Sequence, residues 1–130
     1  MKNIALLFST FFLLNINFSY AQIAGNIEDR LEESLITEYF PNYDETNINT
    51  TDKRILEINS NGTLLGYIFS TWDMVKSLGY DRQPYEIIVG LNTNGTIAGA
   101  TLTYHNEPLF VHDISEKYLE DFVKNSKGLD

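Results

Sequence analysis

The sequence predicts an α+β domain: two antiparallel β-hairpins forming one sheet, packed by helices, in the order αββαββα. Two observations carry this reading. The pairs Asn61-Gly62 and Asn94-Gly95 each fall between apolar runs, and Asn-Gly supplies the positive φ that a tight hairpin needs. Three amphipathic stretches with helix start or stop signals precede, separate and follow those hairpins. Helices alongside paired hairpins define the class.

The chain opens with MKNIALLFSTFFLLNINFSYA, one lysine followed by an apolar run that ends in small-x-small fashion at Ser19-Tyr20-Ala21. That is the plan of a signal peptide over 1–21, with cleavage after Ala21. Asn15 and Asn17 interrupt the run, which leaves it short of the roughly 20 residues a spanning helix requires. The remainder, 22–130, is the length of one small domain and holds no second apolar run of spanning length. An exported location, periplasmic or equivalent, is the expectation.

Within that domain, Ile27, Leu31, Leu35 and Tyr39 recur every four residues with acids between them, predicting a helix over Ile27–Phe40 that Pro41 ends. The segment NYDETNINTTDK is polar and reads as a loop. Arg54–Asn59 and Leu64–Ser70 form the first hairpin, Tyr85–Asn92 and Thr96–Glu107 the second. Between them Trp72–Leu78 makes a short helix, with Ser70 and Asp73 in capping-box spacing and Gly79 as the stop. Asp113 and Glu116 offer another cap. Tyr118, Leu119, Phe122 and Val123 make a helical stripe that ends near Gly128. The sequons at Asn49, Asn61 and Asn94 read as turn chemistry.

Composition narrows the function classes. Nine basic side chains face 18 acidic ones, and cysteine is absent. Such a chain repels nucleic acid and anionic lipid. Disulfides, thiolate metal sites and cysteine nucleophiles are excluded. No glycine-rich phosphate loop and no nucleophile elbow occurs.

The segment TYHNEPLF, Thr103–Phe110, concentrates the polar chemistry. Along Ala98–Glu107 strict alternation puts Ala98, Ala100, Leu102 and Tyr104 on one face, and Thr101, Thr103, His105 and Glu107 on the other. His105 and Glu107 then lie about 7 Å apart by strand rise, and Pro108 stops the ladder because it cannot donate to it. A solvated strand end explains this pattern, and so does a binding site. His105, Glu107, His112 and Asp113 are metal-capable residue types, but they repeat no zinc spacing, so no metal is expected.

The run GYIFSTWDMVKSLGYDRQPYEIIVGLNTNGTIAGATLTYHNEPLF, with the helix and glycine after it, resembles the exported FMN-binding domain of NosR/NirI-type proteins. The matched positions are Gly66-Tyr67, Thr71, Asp73, Gly79-Tyr80, Pro84, Val89-Gly90-Leu91, Gly95, Gly99-Ala100, His105 and Glu107-Pro108. They cover roughly Leu64 to Gly128, and ITEYFP at 36–41 resembles the family's opening helix. The resemblance implies a periplasmic flavin module with FMN as cofactor. It also implies electron transfer, or its regulation, with periplasmic or membrane redox proteins in nitrous oxide respiration.

The wider family esterifies FMN to the threonine of an Asp-x-x-(Ser/Thr)-Gly-Ala-Thr motif placed after the last helix. That motif is not found within these 130 residues, so the attachment segment is expected to be missing from this chain. Ala98-Gly99-Ala100-Thr101 imitates its end, but Gly95 stands where the motif has Asp and Ala98 where it has Ser or Thr. Thr101 is therefore expected to be a strand threonine. For an isoalloxazine ring, Trp72, Tyr80 and Tyr104 offer walls, and His105 and Glu107 offer polar contacts. The alternative is a secreted interaction or sensor module that shares the fold and holds no flavin.

Overall fold

The computed structural model describes Ile23 and residues 25–130. The leader expected at 1–21 lies outside the described residues. The elements are helices α1 (Ile27–Arg30), α2 (Glu33–Tyr39), α3 (Thr71–Val75) and α4 (Glu116–Lys124). The strands are β1 (Glu45–Ile48), β2 (Ile55–Ser60), β3 (Thr63–Ser70), β4 (Glu86–Asn92) and β5 (Ile97–Tyr104). All five strands form one antiparallel sheet in the order β1-β2-β3-β4-β5. The α+β class and the two hairpins stand as expected.

Three elements differ from expectation, each for a local reason. The helix expected over Ile27–Phe40 breaks at Leu31, which is extended (φ −86°, ψ 124°). The break lets Ile27 and Ile36 both enter the core, with Leu31 and Leu35 packed at its border. The loop 42–53 contains β1, whose residues pair with β2 from Glu45↔Asn59 to Ile48↔Leu56. Glu-Thr-Asn-Ile is nearly all exposed and shows no alternation; backbone pairing at the sheet edge makes it a strand, against weak β-propensity. Helix α3 ends at Lys76, which is left-handed (φ 52°), rather than running to Gly79. Leu78 is instead drawn into a bridge with Pro84.

At the first hairpin Asn61 and Gly62 both have positive φ (49° and 72°), the combination a two-residue turn matching strand twist requires. At the second, the loop is longer and only Gly95 has positive φ (92°). The Asn94 side chain accepts from Thr96 N–H and Thr96 Oγ1 to close it.

The core is the seat of two aromatic rings. Tyr39 and Phe40, at the end of α2, lie on Gly66 of β3, Gly90 of β4 and Gly99 of β5. A Cβ on Gly90 would come within 2.6 Å of the Tyr39 ring, and one on Gly99 would overlap it. Around the rings close Ile27, Leu56, Ile58, Ile68, Ile88 and Ala98. The Tyr39 hydroxyl donates to the Ile88 carbonyl (3.2 Å) and shares a hydrogen bond with the Thr101 hydroxyl (2.8 Å). Burial pushes its pKa up to about 12.

Strict alternation does not survive in β5. Register shifts opposite Gly90/Leu91 and Glu86/Ile87 leave Ala98 and Thr103 as extra residues, and a bulge re-aims the side chains around it. Between those bulges Thr101 still alternates with Ala100 and Leu102, but the face it shares is the helix-covered one, so Thr101 and Thr103 bond to Tyr39 and Glu86. They do not continue a solvated line with His105 and Glu107. Among the described residues no helix is long and apolar enough to cross a membrane.

Replacing Gly99 by alanine is expected to cost about 1–3 kcal/mol, the usual range for overpacking, measured by urea unfolding. Adding Tyr39→Leu to Gly99→Ala is expected to cost less than the two single changes summed, because the clash and the ring are one interaction.

Candidate functional site

After Tyr104, β5 leaves the sheet and turns through Pro108 into a one-turn 3₁₀ helix at Leu109–His112. Asp113 is left-handed (φ 55°) and returns the chain toward α4, whose cap is Ser115 rather than the expected Asp113. The Ser115 hydroxyl accepts from Tyr118 N–H at 3.1 Å. This segment, α4 and the turn before β4 enclose a groove of about 760 Å³. Tyr80, Tyr85, Phe110, Val111, Ile114 and Leu119 give its apolar walls, and Glu107 and Pro108 stand at the strand end. Phe110 is 86% exposed. The expected α4 stripe is divided: Val123 is buried and Leu119 faces the groove, while Tyr118 and Phe122 remain in solvent.

Polar contacts fix the strand end. Glu107 Oε1 accepts from Tyr80 N–H at 2.9 Å, and it sits so close over Gly79 that a Cβ there would overlap it. His105 Nδ1 accepts from Glu107 N–H at 3.1 Å, while its Nε2 lies 2.7 Å from Glu116 Oε2 on α4. The imidazole ring is tilted against Tyr85, 6.4 Å between centroids. Burial, and then the nearby charge of Glu107, raise the Tyr85 phenol.

The sequence-derived candidates therefore separate. Tyr80 and Glu107 line the groove, and His105 stands directly behind Glu107. Thr101 is elsewhere, bonded to Tyr39 on the far side of β5 and lining a different cleft with Tyr104. Trp72, on α3, carries Lys76 over its ring at 5.0 Å and is absent from the groove wall. Among the described residues no three His, Asp or Glu side chains converge as a metal site.

Sequence reasoning missed Tyr85 and Phe110 as walls, and it missed a buried charge cluster. Arg30 of α1 pairs with Asp73 of α3 and with Glu86 of β4, the latter at 2.5 Å. Glu86 also accepts from Ser70 Oγ (2.6 Å) and Thr103 Oγ1 (2.8 Å). The side chains of Arg30, Asp73 and Glu86 are only 10%, 12% and 5% exposed. The cluster borders a cleft of about 360 Å³ lined by Leu31, Leu35, Ile88 and Thr101. A signal was present: Glu86 shares the inward face of β4 with Ile88 and Gly90, so a charge there requires a partner.

Two known proteins are similar to the chain. Protein NirI of Paracoccus denitrificans is 34% identical over 73 residues, which are 56% of this chain and 11% of NirI. The regulatory protein NosR of Stutzerimonas stutzeri is 26% identical over 119 residues, 92% of this chain and 16% of NosR. The relationship is NosR/NirI-like. This chain thus spans under a fifth of the length of either relative. The chain matches no protein-family model and no solved structure.

Two carboxylates against one guanidinium leave one excess negative charge in the Arg30 cluster. Desolvation accordingly raises the Asp73 carboxyl, ahead of the opposing pull of Arg30. A raised acid favours the fold as pH falls, because protonation removes the buried charge. Arg30→Met is expected to cost about 3–5 kcal/mol at neutral pH, the usual cost of stripping a buried pair of one partner. The loss is expected to shrink at pH 4.5, where the orphaned Asp73 carboxyl, already raised by burial, takes up a proton. Urea denaturation of both proteins at the two pH values checks the size and the sign.

Proposed function

We propose that this chain is an exported FMN-binding-type module that serves electron transfer, or its regulation, alongside periplasmic or membrane redox proteins. The NosR/NirI-like relationship supports a denitrification context for it. One observation carries it. Tyr80, from the turn before β4, and Glu107, from the segment after β5, meet in an aromatic-walled groove of about 760 Å³, within the range of small-molecule sites.

The groove's chemistry suits the ring of a flavin better than its phosphate. Tyr80, Tyr85 and Phe110 would cover an isoalloxazine and exclude water from it, and Glu107 offers an acceptor at the rim. Among the described residues that line the groove there is no lysine or arginine, and His112 is the one basic side chain, so a phosphate dianion finds little counter-charge there. When bound, a flavin supplies one- or two-electron transfer. The protein's part is to hold the ring, limit its solvation and set the charge beside it. Thr101 is read as a strand threonine rather than an ester site, a reading supported by its hydrogen bond with Tyr39 away from the groove.

A second reading is a secreted interaction or sensor module of the same fold without flavin. The scant counter-charge and the exposure of Phe110 and Val111 favour it.

Riboflavin and FMN are expected to quench on the purified protein with affinities within about threefold of each other, because a phosphate gains little counter-charge. Tyr80→Ala is expected to weaken both by about tenfold, the scale of one lost aromatic contact. If neither flavin binds, the second reading stands. After acid precipitation no flavin is expected to remain with the protein, even when it is co-produced with a flavin transferase. In-gel fluorescence that disappears in Thr101→Ala would overturn that assignment. N-terminal sequencing of the exported protein is expected to begin at Gln22.

A further inference from the structure

The groove is held in shape by a chain of three contacts that passes through a titratable ring. Tyr80, one wall, is fixed by its N–H on Glu107 Oε1. Glu107 is fixed in turn by its own N–H on His105 Nδ1. The ring's other nitrogen is fixed on Glu116 Oε2 of α4. This arrangement assigns one tautomer: Nδ1 is the bare acceptor, and Nε2 carries the hydrogen donated to Glu116.

We infer that His105 is a positioning residue whose protonation unlatches Glu107 and thereby opens the wall of the groove. A proton arriving on the imidazole can enter only at Nδ1, because Nε2 already holds one. Nδ1–H then faces Glu107 N–H, donor against donor, and the latch must part. The other side responds in the opposite sense, since an imidazolium bonds a carboxylate more strongly than a neutral ring does. The charged ring stays with Glu116 while Glu107 is released, and the Tyr80 turn loses the carboxylate that anchors it.

The groups around the ring support this direction. The carboxylates of Glu116 on α4 and of Glu107 are the acidic groups nearest the ring. Tyr85, before β4, stays neutral because burial raises its phenol. No lysine or arginine contact to His105 is found among the described residues. Histidine changes charge between about pH 5 and 8, so the latch works in the range an exported protein meets. The fit of Glu107 over Gly79 leaves no slack, so moving the carboxylate moves the turn.

The test follows the amides of the full exported chain by ¹⁵N NMR from pH 8 to 5. In the wild type, the Glu107 and Tyr80 amide signals are expected to shift with the same midpoint as the His105 ring protons. In His105→Asn, whose side-chain oxygen keeps an acceptor near Nδ1 but cannot titrate, those two shifts are expected to vanish. Glu116→Gln is expected to keep the shifts, because the Nδ1 latch does not pass through α4. Amides that ignore the His105 midpoint, or that shift equally in His105→Asn, would overturn the latch.

A second arm rests on the flavin reading above. Riboflavin is expected to bind the wild type about fivefold more weakly at pH 5.5 than at pH 8, the scale of one ordinary hydrogen bond lost. In His105→Asn it is expected to bind equally at both. Riboflavin that fails to bind at either pH rejects the flavin reading, while the amide titration still decides the latch. Binding that is strong and independent of pH in the wild type rejects the latch alone.

Discussion

Two aromatic rings lying on bare backbone determine how the rest of the molecule is arranged. Tyr39 and Phe40 can settle on the sheet only because three neighbouring strands offer glycine where a side chain would stand. That contact sets the distance of α2 from the sheet and turns the Tyr39 hydroxyl toward Thr101 and Ile88. It also commits β3, β4 and β5 to one register, since a one-residue slip would put a side chain beneath the rings. The glycines lose conformational entropy when ordered in strands, and the ring burial offsets that loss.

Once α2 is seated, the turn before it brings Arg30 over the sheet, where Glu86 and Asp73 receive it. A buried ion cluster of this kind adds little net stability, because desolvation consumes most of the attraction. Its contribution is to orientation. It ties α1, α3 and β4 together at one point, beside the Tyr104 end of β5 where that strand leaves the sheet. There the groove forms, and His105 and Glu107 act as joints between β5, α4 and the Tyr80 turn.

Much of this was legible from the residues. The Asn-Gly pairs marked both hairpins, Ser70 and Asp73 marked the cap of α3, and the spacing of His105, Glu107 and Pro108 marked the strand end. What failed was reasoning that assumed regularity. A period of two along β5 cannot reveal bulges at Ala98 and Thr103, because bulges are set by the partner strand. Nor does the period say which face a helix covers, so the surroundings of Thr101 and Thr103 were misread. Strand β1 was illegible because its four residues bury almost nothing and owe their form to β2. The groove walls Tyr85 and Phe110 are 25 positions apart in sequence, and only the fold makes them neighbours.

The succession of strands has a kinetic side. Each strand pairs with the one next to it in sequence, so every ladder closes over a local connection, the longest being the fifteen residues between β3 and β4, at small cost in chain entropy. The aromatic cover is different, since Tyr39 reaches partners 49 and 62 residues away. The sheet is therefore expected to assemble first, with its glycine track still open to water. Docking of α2 then converts a wet sheet into a folded domain.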